Sequence, residues 1–288
     1  MMILTQEAAA KEQARHDIKM TGRRRMAQAK DFPRPPDPKV KRPNLSHGWA
    51  LEMLMDLETR VNGRWAWWGR CHWHFDQTGR LPDSPIPEMD WEDTPEPRTM
   101  RMLQACMETL EYGGSSGSQN IPYFFDWILY SLGSEWVQAL PREPCEGASD
   151  RLYQIFALDA MLLYPYDYFG DLLSTYHWGG NNGFYPTPMS VVKMMSQITM
   201  GEKTLAQRLL TTYDGCAGTG RLLMIAGDYS VRLYAQDNDG IVLKALMINY
   251  YLYVPWGIAP INFPEPEPVI EKIKCWQFDP ETGGIKFE

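Results

Sequence analysis

The chain has 288 residues, with 28 Lys and Arg against 36 Asp and Glu and a net charge of −8. That length holds one large domain or two modest ones with ample core. No run approaches the roughly 20 apolar residues that a membrane span needs. The opening stretch MMILTQEAAAKEQARHDIK turns charged too early for a secretory signal, so a cytoplasmic protein with no membrane partner is expected.

Charge is unevenly spread. Residues 1–42 hold eleven Lys/Arg against five Asp/Glu, and the remainder holds seventeen against thirty-one. A basic arm therefore precedes an acidic body. Such an arm reads either as a non-specific contact to a phosphate backbone or as a solvated tail, and composition alone favours the second. The Pro-rich run DFPRPPDPKVKRP (31–43) reads as an extended linker, so residues 1–44 form an arm and linker.

Helical spacing of apolar residues begins at LSHGWALEMLMDLETR (45–60), with Ser46 as a candidate cap. A Trp-rich stretch follows, with Trp65, Trp67, Trp68 and Trp73 within nine residues. Its Cys71-His72-Trp73-His74 string has metal-ligating side chains, but a site needs three or four converging ligands. No second cluster supplies them, so a packed aromatic segment is expected and no metal. The acidic, Pro-rich run 81–97 reads as a loop wrapping the surface. Helical patterns resume at 98–112, 121–140 and 148–178, the last broken by Pro165, and the run GGSSGSQN (113–120) separates the first two. Residues 45–178 thus form a mostly helical unit.

After residue 180 the texture changes. GGNNGFYPTP reads as a loop and 189–201 as a helix. AQRLLTTYDG leads into a strand, GRLLMIAGDY is a helix, SVRLYAQDND a strand and 240–253 a helix, with EKIKCWQFD (271–279) as a third strand. This alternation is half of a doubly wound parallel sheet. The expected class is α/β, a mostly helical region followed by a partial Rossmann-like sheet over 179–288.

The loop DGCAGTG (214–220) carries Gly215, Gly218 and Gly220 between the first strand and its helix. Glycines at that point let a ligand approach the backbone. Asp237, at the end of the second strand and about 20 residues on, is placed to accept hydrogen bonds from ribose hydroxyls. The glycine spacing is not Gly-x-Gly-x-x-Gly, and no Lys-Ser/Thr follows it, which argues against NAD and against a P-loop. Asp214 would repel pyrophosphate but could hold the amino group of an amino-acid ligand, so S-adenosylmethionine suits the acids and the loop better. A tight turn that binds nothing is the competing reading. The five cysteines, Cys71, Cys106, Cys145, Cys216 and Cys275, include no Cys-x-x-Cys pair, which suits a reducing compartment rather than a disulfide framework.

Three segments in order resemble the N6-adenine DNA methyltransferases, in particular the methylation subunit of type I restriction–modification systems. GFYPTPMSVVKMM (183–195) is similar to that family's Gly-x-Tyr/Phe-x-Thr-Pro segment. DGCAGTGRLL (214–223) is similar to its Asp-Pro-x-Cys-Gly-Ser/Thr-Gly loop. YAQDNDGIVLKALMINYYLY (234–253) is similar to its Gly-Gln-Glu strand end and following helix. The run around YDYFGDLLSTYHW resembles the lead-in, and the likeness covers about residues 165–253.

The resemblance implies that Tyr185, Thr187 and Pro188 shape the methionine side of an S-adenosylmethionine pocket. It implies that Asp214, Gly215, Gly218 and Gly220 form the loop and that Asp237 holds the ribose. Gly215 stands where the family has Pro, and Ala217 where it often has Cys. The family's Asn/Asp-Pro-Pro-Tyr/Phe tetrapeptide, which holds the flipped adenine, is absent: RPPD (34–37) has the wrong order and FDPET (278–282) a single proline. Catalytic residues are therefore unassigned, and the sheet is expected to be incomplete before its fourth strand.

The functional expectation is a DNA adenine-N6 methyltransferase-like protein that needs a partner chain for the catalytic half. A degenerate methyltransferase that binds DNA or assembles with others is the alternative, and an RNA or protein methyltransferase is the third reading. Expected partners are DNA and a second methyltransferase or specificity subunit. If the basic arm contacts phosphates, deleting residues 1–42 weakens DNA binding and flattens its salt dependence; binding curves unchanged across a salt series would remove the arm from the interface.

Overall fold

The computed structural model describes residues 36–37, 39–111, 117–176 and 185–263, together with the backbone of two strands at 276–279 and 284–287. The basic arm up to residue 35, the glycine-serine run at 113–116 and the segment 177–184 lie outside the described residues, as does Cys275.

The N-terminal part is helical. The helices are α1 (Leu51–Val61), α2 (Arg64–Thr78), α3 (Pro97–Leu110), α4 (Gly117–Ser131), α5 (Ala148–Ile155), α6 (Leu158–Leu163) and α7 (Tyr168–Thr175). Helix α1 begins at Leu51, and Ser46 does not cap it; the position before the helix is Ala50, with no side-chain cap. Glu96 caps α3 by accepting from the N–H groups of Arg98 and Thr99, and Pro97 fills the first turn, where its missing N–H costs nothing. The run 148–178 is divided into three short helices rather than two, because the chain is extended at Phe156 and turns again around Pro165.

The C-terminal part follows as α8 (Met189–Met200), β1 (Thr211–Asp214), α9 (Arg221–Ala226), β2 (Arg232–Ala235) and α10 (Gly240–Tyr253). Strands β1 and β2 pair in parallel, Thr211 with Arg232 through Asp214 with Ala235. The class is α/β, with a two-stranded parallel sheet and helices around it. The expected third parallel strand is a correction. Trp276–Asp279 is extended (β3), but it pairs antiparallel with Gly284–Phe287 (β4) in a separate hairpin and not with β1 or β2. An antiparallel and a parallel strand of four residues look alike in local sequence; the pairing partner decides.

Helix α10 is apolar nearly all round, as is α4, and the two pack against each other at the centre of the molecule. One continuous core runs from Ala50 and Leu54 through Phe124, Phe125 and Ile128 to Leu246, Leu252 and Trp256. The Trp-rich stretch is helix α2, and it supplies this core. Trp67 and Trp68 meet Trp256 edge-on at 5.5 and 5.9 Å, and the Trp68 indole N–H donates to the Ala259 carbonyl at 2.6 Å. The loop 81–97 departs from its expected surface course, since Ile86, Met89 and Trp91 are buried in the core.

Two buried ion pairs join the helical part to the part that carries the sheet. Arg64 pairs with Asp228, donates to the Pro87 and Tyr253 carbonyls at 3.0 and 2.9 Å, and lies against the rings of Trp91 and Trp256. Arg221 pairs with Asp167. No helix among the described residues is long and apolar enough to cross a membrane.

Burial pushes the Cys71 thiol up to about 11 from an ordinary 9.0, although Arg208 and Arg70 pull it down. Burial also raises Cys106, Tyr168 and Tyr253. Above pH 9 the unfolded chain releases thiol protons that the folded chain keeps, so the unfolded state binds fewer protons and stability falls. Urea unfolding at pH 8, 9, 10 and 11 is predicted to give stability that is full below pH 9 and declines towards pH 11; a flat profile would contradict the burial of these groups.

Candidate functional site

The parallel pair places two acidic residues at one end of the sheet. Asp214 is the last residue of β1, and Asp237 follows the last residue of β2 by two positions. Ligands in open α/β sheets bind beyond the carboxyl ends of the strands, and a cleft of about 1010 Å³ opens there. It is bounded by the loop 214–219, by Gln236 to Gly240, and by Tyr185, Pro186 and Thr187 leading into α8.

The loop is held in shape before any ligand arrives. One Asp214 carboxylate oxygen accepts from the Cys216 N–H at 3.0 Å, closing an Asx turn. The Gly218 N–H donates to Asp237 Oδ2 at 2.8 Å, and the Asp239 N–H donates to Asp237 Oδ1 at 3.0 Å. Asp237 thus bridges the two strand ends through one acceptor bond on each oxygen. A carboxylate offers about four lone-pair positions, so further donors fit on the same side chain. The Ala217 N–H donates to the Gln236 carbonyl at 2.9 Å, which keeps the loop alongside β2.

Two glycines here adopt conformations that other residues resist. Gly218 and Gly220 have φ of 55° and 79°, in the left-handed region. A Cβ on Gly220 would also meet Leu246 Cγ at 2.8 Å. This lets α10 press against the start of α9 and so carries the loop on the core.

Of the residues singled out in the sequence, Tyr185, Thr187, Asp214, Gly215, Gly218 and Asp237 line the cleft together. Pro188 and Gly220 do not. Pro188 is the exposed residue before α8, and Gly220 is the buried residue before α9. Tyr185 is 86% exposed and stands at the rim. Cys71, His72 and His74 do not converge: Cys71 is buried, and the histidines meet the carbonyls of Ala259 and Arg80 at 3.0 and 2.7 Å. Among the described residues no group of three or more His, Cys, Asp and Glu side chains could hold a metal ion.

Sequence reasoning missed the support beneath the loop. Asp167, fully buried, accepts from the Thr219 hydroxyl at 2.6 Å, from Arg221 Nε at 3.0 Å, from the Asn249 amide at 2.8 Å and from the Gly170 N–H at 2.9 Å. Arg221 reaches Asp171 at 2.8 Å as well. Burial works against the Arg221 charge, but Asp167, Asp171 and Tyr166 outweigh it and raise its pKa above the ordinary arginine value. The available signal was Arg221 itself, a lone charge opening the apolar helix RLLMIA, which needs a buried counter-charge.

The cleft is consequently anionic. Asp214, Asp237 and Asp239 stand on its wall, while the Arg221 cation that also lines it is matched by Asp167 and Asp171. The arrangement defines an α/β chain whose parallel strand ends present a glycine-lipped, acid-walled cleft suited to a ligand bearing positive charge and hydroxyl donors. Comparison of the chain with protein-family models, with curated proteins and with solved structures gives no match.

Gly220→Ala combines a strained φ with the Leu246 contact and is predicted to cost about 1–3 kcal/mol, read as a lower urea midpoint at constant slope. A midpoint within error of the parent would show that α10 does not press on this residue.

Proposed function

We propose that the cleft is an S-adenosylmethionine site and that this chain is the donor-binding part of an adenine-N6 DNA methyltransferase of a reducing, cytoplasmic setting. The observation that carries the reading is that Asp214, the glycine loop, Asp237 and the Tyr185–Thr187 segment, separated by up to 52 positions, line one cleft.

The residues present fit the donor. Asp214 would face its amino group, Asp237 its ribose hydroxyls, and Tyr185 and Thr187 its methionine portion. Gly215 keeps the loop low there, because a Cβ at that position would crowd the Tyr213 hydroxyl at 3.1 Å and its ring at 3.3–3.5 Å. The acid-walled cleft favours a sulfonium and an ammonium over a pyrophosphate, since like charges at short range are repulsive. When bound, the donor supplies an electrophilic methyl group; the chain's own task is to hold it in one orientation.

The acceptor side rests on the resemblance. The sequence contains no Asn/Asp-Pro-Pro-aromatic tetrapeptide, so the adenine-holding step is assigned to a chain that carries one, and DNA and such a subunit are the proposed partners. The same absence favours a second reading, in which the chain binds the donor or DNA without transferring a methyl group.

Calorimetric titration is predicted to give saturable binding of S-adenosylmethionine and none of NAD or ATP. Asp237→Ala should weaken binding at least about tenfold, with the folded state checked by circular dichroism. Absence of heat with S-adenosylmethionine, or equal binding of ATP, would overturn the donor assignment. Methyl transfer to DNA adenine on mixing with a tetrapeptide-bearing partner supports the enzymatic reading; donor binding without transfer for any such partner supports the second.

A further inference from the structure

Arg221 is the first residue of α9, directly after the glycine loop, where an unpaired cation would draw anions into the cleft. Its hydrogen bonds point elsewhere. Nε donates to Asp167 Oδ2 at 3.0 Å, Nη2 donates to the Asp167 carbonyl at 3.2 Å and to Asp171 Oδ1 at 2.8 Å, and Nη1 donates to the Thr187 carbonyl at 2.9 Å. The guanidinium lies over the Tyr166 ring at 5.3 Å, and the Tyr166 hydroxyl donates to Asp171 at 2.8 Å. The side chain is 7% exposed.

These bonds join three stretches that are distant in sequence: the turn into α7 at 166–171, the lead-in to α8 at Thr187, and the glycine loop. The last connection is doubled, because Asp167 also accepts from the Thr219 hydroxyl, and Asn249 bridges Asp167 and the Thr219 carbonyl at 2.8 and 2.9 Å. Room for the carboxylate depends on Gly170, where a Cβ would overlap Asp167. A plain structural ion pair needs two charges. Here one guanidinium spends a donor on the carbonyl of a rim segment whose Tyr185 and Thr187 are exposed, and that contact spans one wall of the cleft to another.

We propose that Arg221, held by Asp167, is a positioning residue that sets the separation of the Tyr185–Thr187 rim from the glycine loop, and so fixes the width of the cleft before a ligand binds. It acts through the Thr187 carbonyl and the loop, with its donors committed to Asp167, Asp171 and Thr187. The consequence for binding rests on the reading of the cleft as an S-adenosylmethionine site; the geometric latch does not. Preorganisation of this kind lowers the ordering cost of binding and is felt as affinity.

Arg221→Lys tests it, because a single ammonium cannot reach two carboxylates and the Thr187 carbonyl together. Amide hydrogen exchange in the ligand-free protein is expected to speed up about tenfold or more at the hydrogen-bonded amides of Val191 and Val192 and of Cys216, Ala217, Gly218 and Gly220 together, with the α4 amides unchanged. Affinity for S-adenosylmethionine is expected to fall about tenfold in the folded variant, with folding checked by circular dichroism. Thr219→Val, which removes one donor to Asp167 and keeps the volume, should loosen both segments to a smaller degree and serves if the lysine variant does not fold. Faster exchange confined to the loop, with Val191 and Val192 as protected as in the parent in every folded variant, overturns the latch. Parent protein that shows no binding of S-adenosylmethionine would count against the donor assignment alone, since the exchange pattern decides the latch without ligand.

Discussion

The pairing of Asp167 with Arg221 ties the glycine loop to the helical part of the molecule. Both side chains are withdrawn from water, and a buried charge that loses its partner typically costs about 3–5 kcal/mol. Well-packed apolar residues could have filled the same volume without that liability. What the pair adds is direction: Asp167 accepts from four donors on α7, on the glycine loop, on α9 and on α10. It thereby fixes the loop relative to the helical part with hydrogen-bond precision, which apolar packing alone does not provide. Arg64 with Asp228 serves the neighbouring junction, where α2, the loop bearing Trp91, and the end of α10 meet.

The helix periodicities were legible in part: the stretch 121–140 is helical only as far as Ser131, and its helix begins at Gly117, inside the run read as separating two helices. Residues 240–253 form a helix over the expected span, and 189–201 over all but its last residue, because Gly201 at φ 68° and the chain after Tyr253 end them locally. Features decided by distant partners were not legible. The strand at 276–279 has the right residues for an extended segment, but nothing in WQFD says that it will meet GIKF instead of β2. The buried Ile86, Met89 and Trp91 sit in a run that is acidic and Pro-rich on average, so composition hid three side chains that belong to the core.

The same distinction holds at the cleft. Asp214, the glycines and Asp237 are local to two strand ends, and their positions follow from where β1 and β2 stop. Tyr185 and Thr187 came into view through a motif, and they line the cleft with the others. Asp167 lies 54 positions from Arg221, and neither residue sits in a pattern that reveals the other. Only the burial of an arginine at the head of an apolar helix gave notice that a carboxylate had to be nearby. The anionic character of the cleft follows from that hidden pairing: an Arg221 left free would have turned the same loop towards phosphate.

In the proposed arrangement a methyl donor lies across the strand ends with its amino group towards Asp214 and its ribose towards Asp237. A crystal structure of the protein soaked with S-adenosylmethionine tests this directly. Ligand density is expected between those two carboxylates and beneath Tyr185–Thr187, with Arg221 still on Asp167 and the Thr187 carbonyl. Density at any other place, or a bound ligand whose ribose lies away from Asp237, would contradict it.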